Sequence, residues 1–97
     1  MLVIHNYRAA LVQSFDKLRD QPSAIGNRRD MMIRLEDKNL NIYLRTPEDV
    51  KNGCTRGMSY VKILLPNNFI NNPIYRSMLL PSAYGGEITF YPEDAPV

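Results

Sequence analysis

Cys54 is the residue with most nucleophilic potential, and it lies in Asn52-Gly53-Cys54-Thr55-Arg56-Gly57, where the Arg56 guanidinium could favour a thiolate. A cysteine nucleophile needs a base within hydrogen-bond reach, and His5 is the sole histidine. One Cys and one His fall short of the three or four ligands of a zinc site. A single Cys also makes no internal disulfide. Gly53 and Gly57 lack the Lys-Ser/Thr ending of a phosphate loop. Asp49-Val50-Lys51 imitates the Asp-X-Lys end of some metal-dependent nucleases, but it directly follows Thr46-Pro47, which makes it an exposed first helical turn. No acid, base or ligand constellation forms, so the expectation is a non-enzymatic protein without metal or cofactor.

Binding chemistry is better represented. Between Val50 and Gly86 there is no carboxylate, and the charged residues are Lys51, Arg56, Lys62 and Arg76. Tyr60, Phe69, Tyr75 and Tyr84 are interspersed among them, whereas Glu87, Glu93 and Asp94 make the end acidic. Tyr and Arg together suit a protein interface; basic groups with aromatics also attract phosphates and stack bases. Arg56, Tyr60, Lys62, Phe69, Tyr75, Arg76 and Tyr84 are therefore the candidate partner-binding residues. The competing reading makes the same aromatics core and the charges a solvated face. In Asn67-Asn68-Phe69-Ile70-Asn71-Asn72-Pro73, asparagine side chains compete for backbone hydrogen bonds and resist regular structure. Such a loop either offers Phe69 and Ile70 to a partner or anchors itself to the core through them.

These residues must be positioned by a short chain of 97 residues, 44% hydrophobic and 23% charged, with net charge +2. Those values fit one globular domain. Leu2-Val3-Ile4 is β-prone. Tyr7, Leu11, Phe15 and Leu18 form one helical stripe over residues 7–20, which Pro22, Gly26 and Asn27 close with a loop. Met31, Ile33 and Leu35, then Leu40, Ile42 and Leu44, alternate with less apolar neighbours across a polar turn, which predicts a β-hairpin. Thr46-Pro47 is a cap followed by a first helical residue, and Asn72-Pro73 repeats that signal. Residues 57–65 and 87–91 are strand candidates, and Ile74, Met78 and Leu79 supply a short second helix ended by Pro81. The order is β-α-β-β-β-α-β with a short helical turn after the hairpin. This predicts an α+β domain over residues 1–91, a mostly antiparallel sheet with two helices on one face, and an acidic, proline-rich tail over 92–97.

Two stretches resemble the signature motifs of the RNA recognition motif family. Arg56-Gly57-Met58-Ser59-Tyr60-Val61-Lys62-Ile63 is similar to its octapeptide, and Leu2-Val3-Ile4-His5-Asn6-Tyr7 to its hexapeptide. The resemblance implies a four-stranded sheet whose exposed aromatics stack on single-stranded bases. Of the three stacking positions only Tyr60 is aromatic, with Val3 and Met58 at the others, and the interval between the motifs is about 20 residues longer than usual in that family.

A secretory leader needs a basic segment and a long apolar stretch, and a membrane-spanning helix needs about 20 apolar residues. Neither pattern is present, and with a lone thiol the expected compartment is the reducing cytoplasm. The expected function is a small inhibitor- or adaptor-like protein that acts on a larger protein partner. A single-stranded RNA- or DNA-binding module with a degenerate recognition-motif surface is the rival class. A structural or assembly subunit, pairing with a second copy through an open strand edge, is the third.

Overall fold

β1 (Leu2–Ile4) is the strand around which the sheet is built, because all three of its side chains are buried and it carries a neighbour on each edge. A computed structural model describes residues 1–55, 59–83 and 86–92. β1 is followed by α1 (Arg8–Arg19), then by β2 (Ala24–Asn27), β3 (Met32–Leu35) and β4 (Leu40–Arg45). α2 (Pro47–Lys51) leads to β5 (Lys62–Pro66). A 3-10 turn at Asn67–Asn71, a π-helical turn at Tyr75–Leu79 and α3 (Leu80–Ser82) connect β5 to β6 (Glu87–Tyr91).

The six strands form an α+β sheet in the order β2-β3-β4-β1-β5-β6. β2, β3 and β4 make an antiparallel meander, as the alternating runs predict, with Ile33 opposite Ile42. β4, β1, β5 and β6 run parallel, with Val3 beside both Leu44 and Leu64. This is a larger parallel share than the alternation suggests. A Cα radius of gyration of 12.6 Å matches the value of about 12.5 Å expected for a compact domain of this length.

The helices do not share one face, which corrects that part of the expectation. α1 packs on one side with Val3, Leu11, Phe15, Ile33, Ile42 and Leu44. Val50 of α2, Phe69 of the 3-10 turn and Leu79 pack on the other with Leu2, Ile4, Ile63 and Leu65. The hand of the connections explains the split. From β1 the chain moves one way along the sheet to reach β4, and from β4 it moves back across β1 to β5. Parallel connections keep the same right hand only if the helix changes face when the direction reverses. α1 and α2 therefore lie on opposite sides, and the strands between them are buried twice.

Local signals explain most boundaries. Thr46 and Asp49 form a reciprocal capping box, Thr46 Oγ1 accepting from the Asp49 N–H at 3.3 Å and Asp49 Oδ2 from the Thr46 N–H at 3.0 Å. Asn72 caps through its side chain, whose oxygen accepts from the Ile74 N–H at 3.0 Å. Pro81 has no N–H to give four residues back, and the chain takes π spacing just before it. β2 replaces the loop expected around Gly26. It is an exposed edge strand, so no inward-facing alternation marks it, and Gly26 admits the Arg19 and Phe15 side chains within 3.2 Å of where a Cβ would sit. The strand candidate over 57–65 begins in the structure only at Lys62, with Ser59 and Tyr60 in the approach to it. Among the described residues no helix is long and apolar enough to cross a membrane.

Candidate functional site

The aromatic members of the predicted binding set are largely structural. Phe69 has no exposed surface and Tyr60 is 6% exposed, both within the core on the α2 side of the sheet. The Tyr60 ring meets Tyr43 edge-on at 5.9 Å, and its N–H donates to the Ser82 carbonyl at 2.7 Å. Tyr75 is half-buried and meets Phe90 edge-on at 5.5 Å. Phe69 and Tyr60 are thus unavailable as contacts, for the physical reason that helical layers cover both faces of the sheet. The same cover removes the open, base-stacking sheet face that the RNA recognition motif resemblance implies. Arg56 and Tyr84 lie outside the described residues.

Of the described members, Tyr75 keeps some accessible surface and the other two accessible ones are basic. Arg76 is exposed and Lys62, at the start of β5, is half-buried. Arg76 lines a shallow recess of about 250 Å³ together with Ile70, Asn71, Asn72 and Pro73. The asparagine-rich loop divides its apolar pair: Phe69 is fully buried as an anchor, and its neighbour Ile70 is 56% exposed. Leu80, on the same helical layer, is also exposed. The carboxylate-free part of the sequence thus becomes a place in the fold, comprising the end of α2, β5 and the helical segments that follow.

His5 and Cys54 are not brought together. His5 is buried at the carboxyl end of β1, where the Tyr91 hydroxyl contacts both the Ile4 carbonyl and His5 Nδ1, the latter at 3.0 Å. A carbonyl can only accept, so the tyrosine proton goes to Ile4 and Nδ1–H donates to the phenol oxygen. Nε2 then carries a lone pair, buried and without a partner among the described residues. Burial lowers the His5 pKa and raises that of Tyr91. Cys54, half-buried, faces Arg45 and Asp49 instead; burial raises its pKa, against the opposing pull of Arg45. The thiol is therefore held protonated rather than activated. Among the described residues no group of three His, Cys, Asp or Glu side chains is placed to hold a metal.

A second concavity escaped the sequence reading. At the carboxyl end of β4, Arg8, Arg29 and Arg45 border a groove of about 400 Å³ floored by Met31 and Leu44, with Asp30 and Asp49 on its wall. Its three arginines come from the start of α1, the loop after β2 and the end of β4. No spacing in the sequence links them, because only the parallel placement of β4 beside β1 brings these ends together. The one local clue, Arg28-Arg29-Asp30, reads as an ordinary polar turn. No family model, curated protein or solved structure matches the chain.

Proposed function

We propose that this chain is a small non-enzymatic binding protein, inhibitor- or adaptor-like, that engages an acidic protein surface through its C-terminal helical layer. The observation that supports this reading is the combination of exposed Ile70 and Leu80 with Arg76 in a layer whose sequence, from Val50 to Gly86, holds no carboxylate. Apolar anchors beside a guanidinium are the residue types that carry binding energy, and the one-signed rim selects an acidic partner. Asn71, Asn72 and Pro73 fix the recess without adding charge.

The test compares the wild-type chain with Ile70→Asp and Arg76→Glu in affinity purification from the native host, read by mass spectrometry and repeated with the purified partner. One protein recovered with the wild type, lost with both variants and carrying an acidic contact surface is expected, with unchanged melting temperatures. Retention of that protein by both folded variants overturns the proposal. Retention of single-stranded nucleic acid that falls steeply with salt, with no protein recovered, replaces it with the nucleic-acid reading.

A further inference from the structure

We propose that the arginine-bordered groove at the carboxyl end of β4 binds a small organic phosphate monoester. It shares no residue with the recess in the C-terminal helical layer. In open parallel sheets ligands settle outside the carboxyl ends of the strands, and β4 and β1 are the parallel pair whose ends meet here. A groove of about 400 Å³ is larger than a bare inorganic ion needs and falls within the range of small-ligand pockets, roughly 300–1,000 Å³.

The lining carries three arginines. Arg8 and Arg29 are exposed and form no ion pair or hydrogen bond among the described residues, so their guanidinium donors are free for a ligand. Arg45 is fixed beforehand: its Nη1 donates to the carbonyls of Leu44 at 2.8 Å, Asp30 at 2.9 Å and Met31 at 3.3 Å. The backbone supports this clamp at a conformational cost. Met31 has φ 48°, a left-handed conformation that bulky residues avoid, and its carbonyl also accepts from the Leu44 N–H at 3.0 Å. Strain of this kind persists where the surroundings over-determine it and is concentrated at binding sites.

The three arginines exceed the two carboxylates on the wall by one charge, and each carboxylate has one oxygen engaged elsewhere: Asp49 Oδ2 accepts from the Thr46 N–H of the capping box, and Asp30 Oδ2 from Asn27 Nδ2 at 2.9 Å. Arg8 also opens α1, a helix of 12 residues whose N-cap, Tyr7, makes no side-chain cap and whose first turn has no acid. A tetrahedral dianion uses several forked guanidinium donors at once, which a single carboxylate does not. Asn52, Gly53 and Cys54 border the volume left for the organic part of the ester.

The probes are ribose 5-phosphate, inorganic phosphate, sulfate and ribose, titrated into the full chain and read by amide NMR shifts and calorimetry. Ribose 5-phosphate is expected to bind most tightly, to shift the amides of Arg8, Arg29 and Asn52, and to lose at least about tenfold in affinity in Arg8→Ala/Arg29→Ala. Both arginines are exposed, so that variant retains the wild-type melting temperature. The proposal is overturned by no shifts at about 10 mM ester, a concentration that detects even millimolar affinity. It is equally overturned by sulfate binding as well as the ester, or by an unchanged affinity in the folded double variant.

Discussion

Replacing Gly86 by alanine should destabilise the fold, although alanine in place of glycine ordinarily adds about 0.4–1 kcal/mol by restricting the unfolded chain. The entropic gain is available, because the Gly86 backbone is not left-handed. The steric conflict decides the sign. A Cβ at this position would lie 2.9 Å from the Val61 carbonyl oxygen and closer still to that of Tyr60. Both are backbone atoms, and Tyr60 is held by its own bond to Ser82. Relief therefore requires the start of β6 to move away from residues 60 and 61. That movement strains the Glu87 N–H bond to Val61 (3.0 Å) and the Lys62–Glu87 register that begins the β5–β6 ladder. Overpacking costs about 1–3 kcal/mol and a lost hydrogen bond about 1 kcal/mol. After the entropic gain the net loss is about 1–3.5 kcal/mol, or roughly 4–28 °C in Tm for a domain of this size. Urea unfolding of Gly86→Ala against wild type measures it. Gly26→Ala is the milder comparison, since its Cβ meets side chains only, Arg19 Cγ and Cδ and the Phe15 ring at 3.1–3.2 Å, and its loss should be smaller than that of Gly86→Ala. A Gly86→Ala protein as stable as wild type, or more so, would refute the reasoning.

Phe69→Ala should lose about 3–5 kcal/mol by emptying a fully buried site, and thermal denaturation should show it unfolded or molten rather than folded and defective in binding. His5 gives the fold a pH dependence with a definite sign: its folded pKa lies below the ordinary 6.5 because burial disfavours the imidazolium. Its contribution is therefore complete above pH 6.5 and falls as pH drops below it, by up to about 1.4 kcal/mol per unit until the folded pKa is passed. His5→Phe should flatten the urea-derived stability profile just below pH 6.5, and equal slopes in the two proteins would remove His5 as the cause.

Local chemistry was legible wherever a residue's role is settled by its neighbours in sequence. The stripe Tyr7, Leu11, Phe15 and Leu18 places α1 within a residue of its ends, the Thr46-Pro47 signal yields a complete capping box, and the alternation from Met31 to Leu44 yields β3 and β4. Pairing across the chain was not legible in the same way. β1, with only three residues, and β5 carry continuous apolar runs, and such runs are compatible with either direction of pairing. That ambiguity propagated to the candidate site. On an antiparallel sheet with one open face, Tyr60 and Phe69 are plausible contacts. On a sheet crossed by helices on both sides they are core, and Ile70, one residue from Phe69, becomes the exposed member of the pair.

Covering both faces of the sheet also changes where recognition can occur. With the broad faces occupied, the accessible chemistry lies on the outer side of the helical layers, along the exposed β2 edge and at the ends of the strands. Charge follows the same division. The segment without carboxylates folds into the layer after α2, which it leaves basic and partly apolar. The Arg8, Arg29 and Arg45 groove instead has carboxylates beside its arginines, but Asp49 is drawn into a helix cap and Asp30 toward Asn27. A residue count would call that groove nearly balanced; the hydrogen bonds show that its cations are the less committed partners. The two surfaces therefore differ in kind, one suited by exposed apolar area to a macromolecular face and the other by its free guanidinium donors to a small anion. Arg76→Glu should accordingly leave phosphate-ester binding intact, and Arg8→Ala/Arg29→Ala should leave capture of the protein partner intact. Loss of both activities in either variant would mean that the two surfaces are not independent.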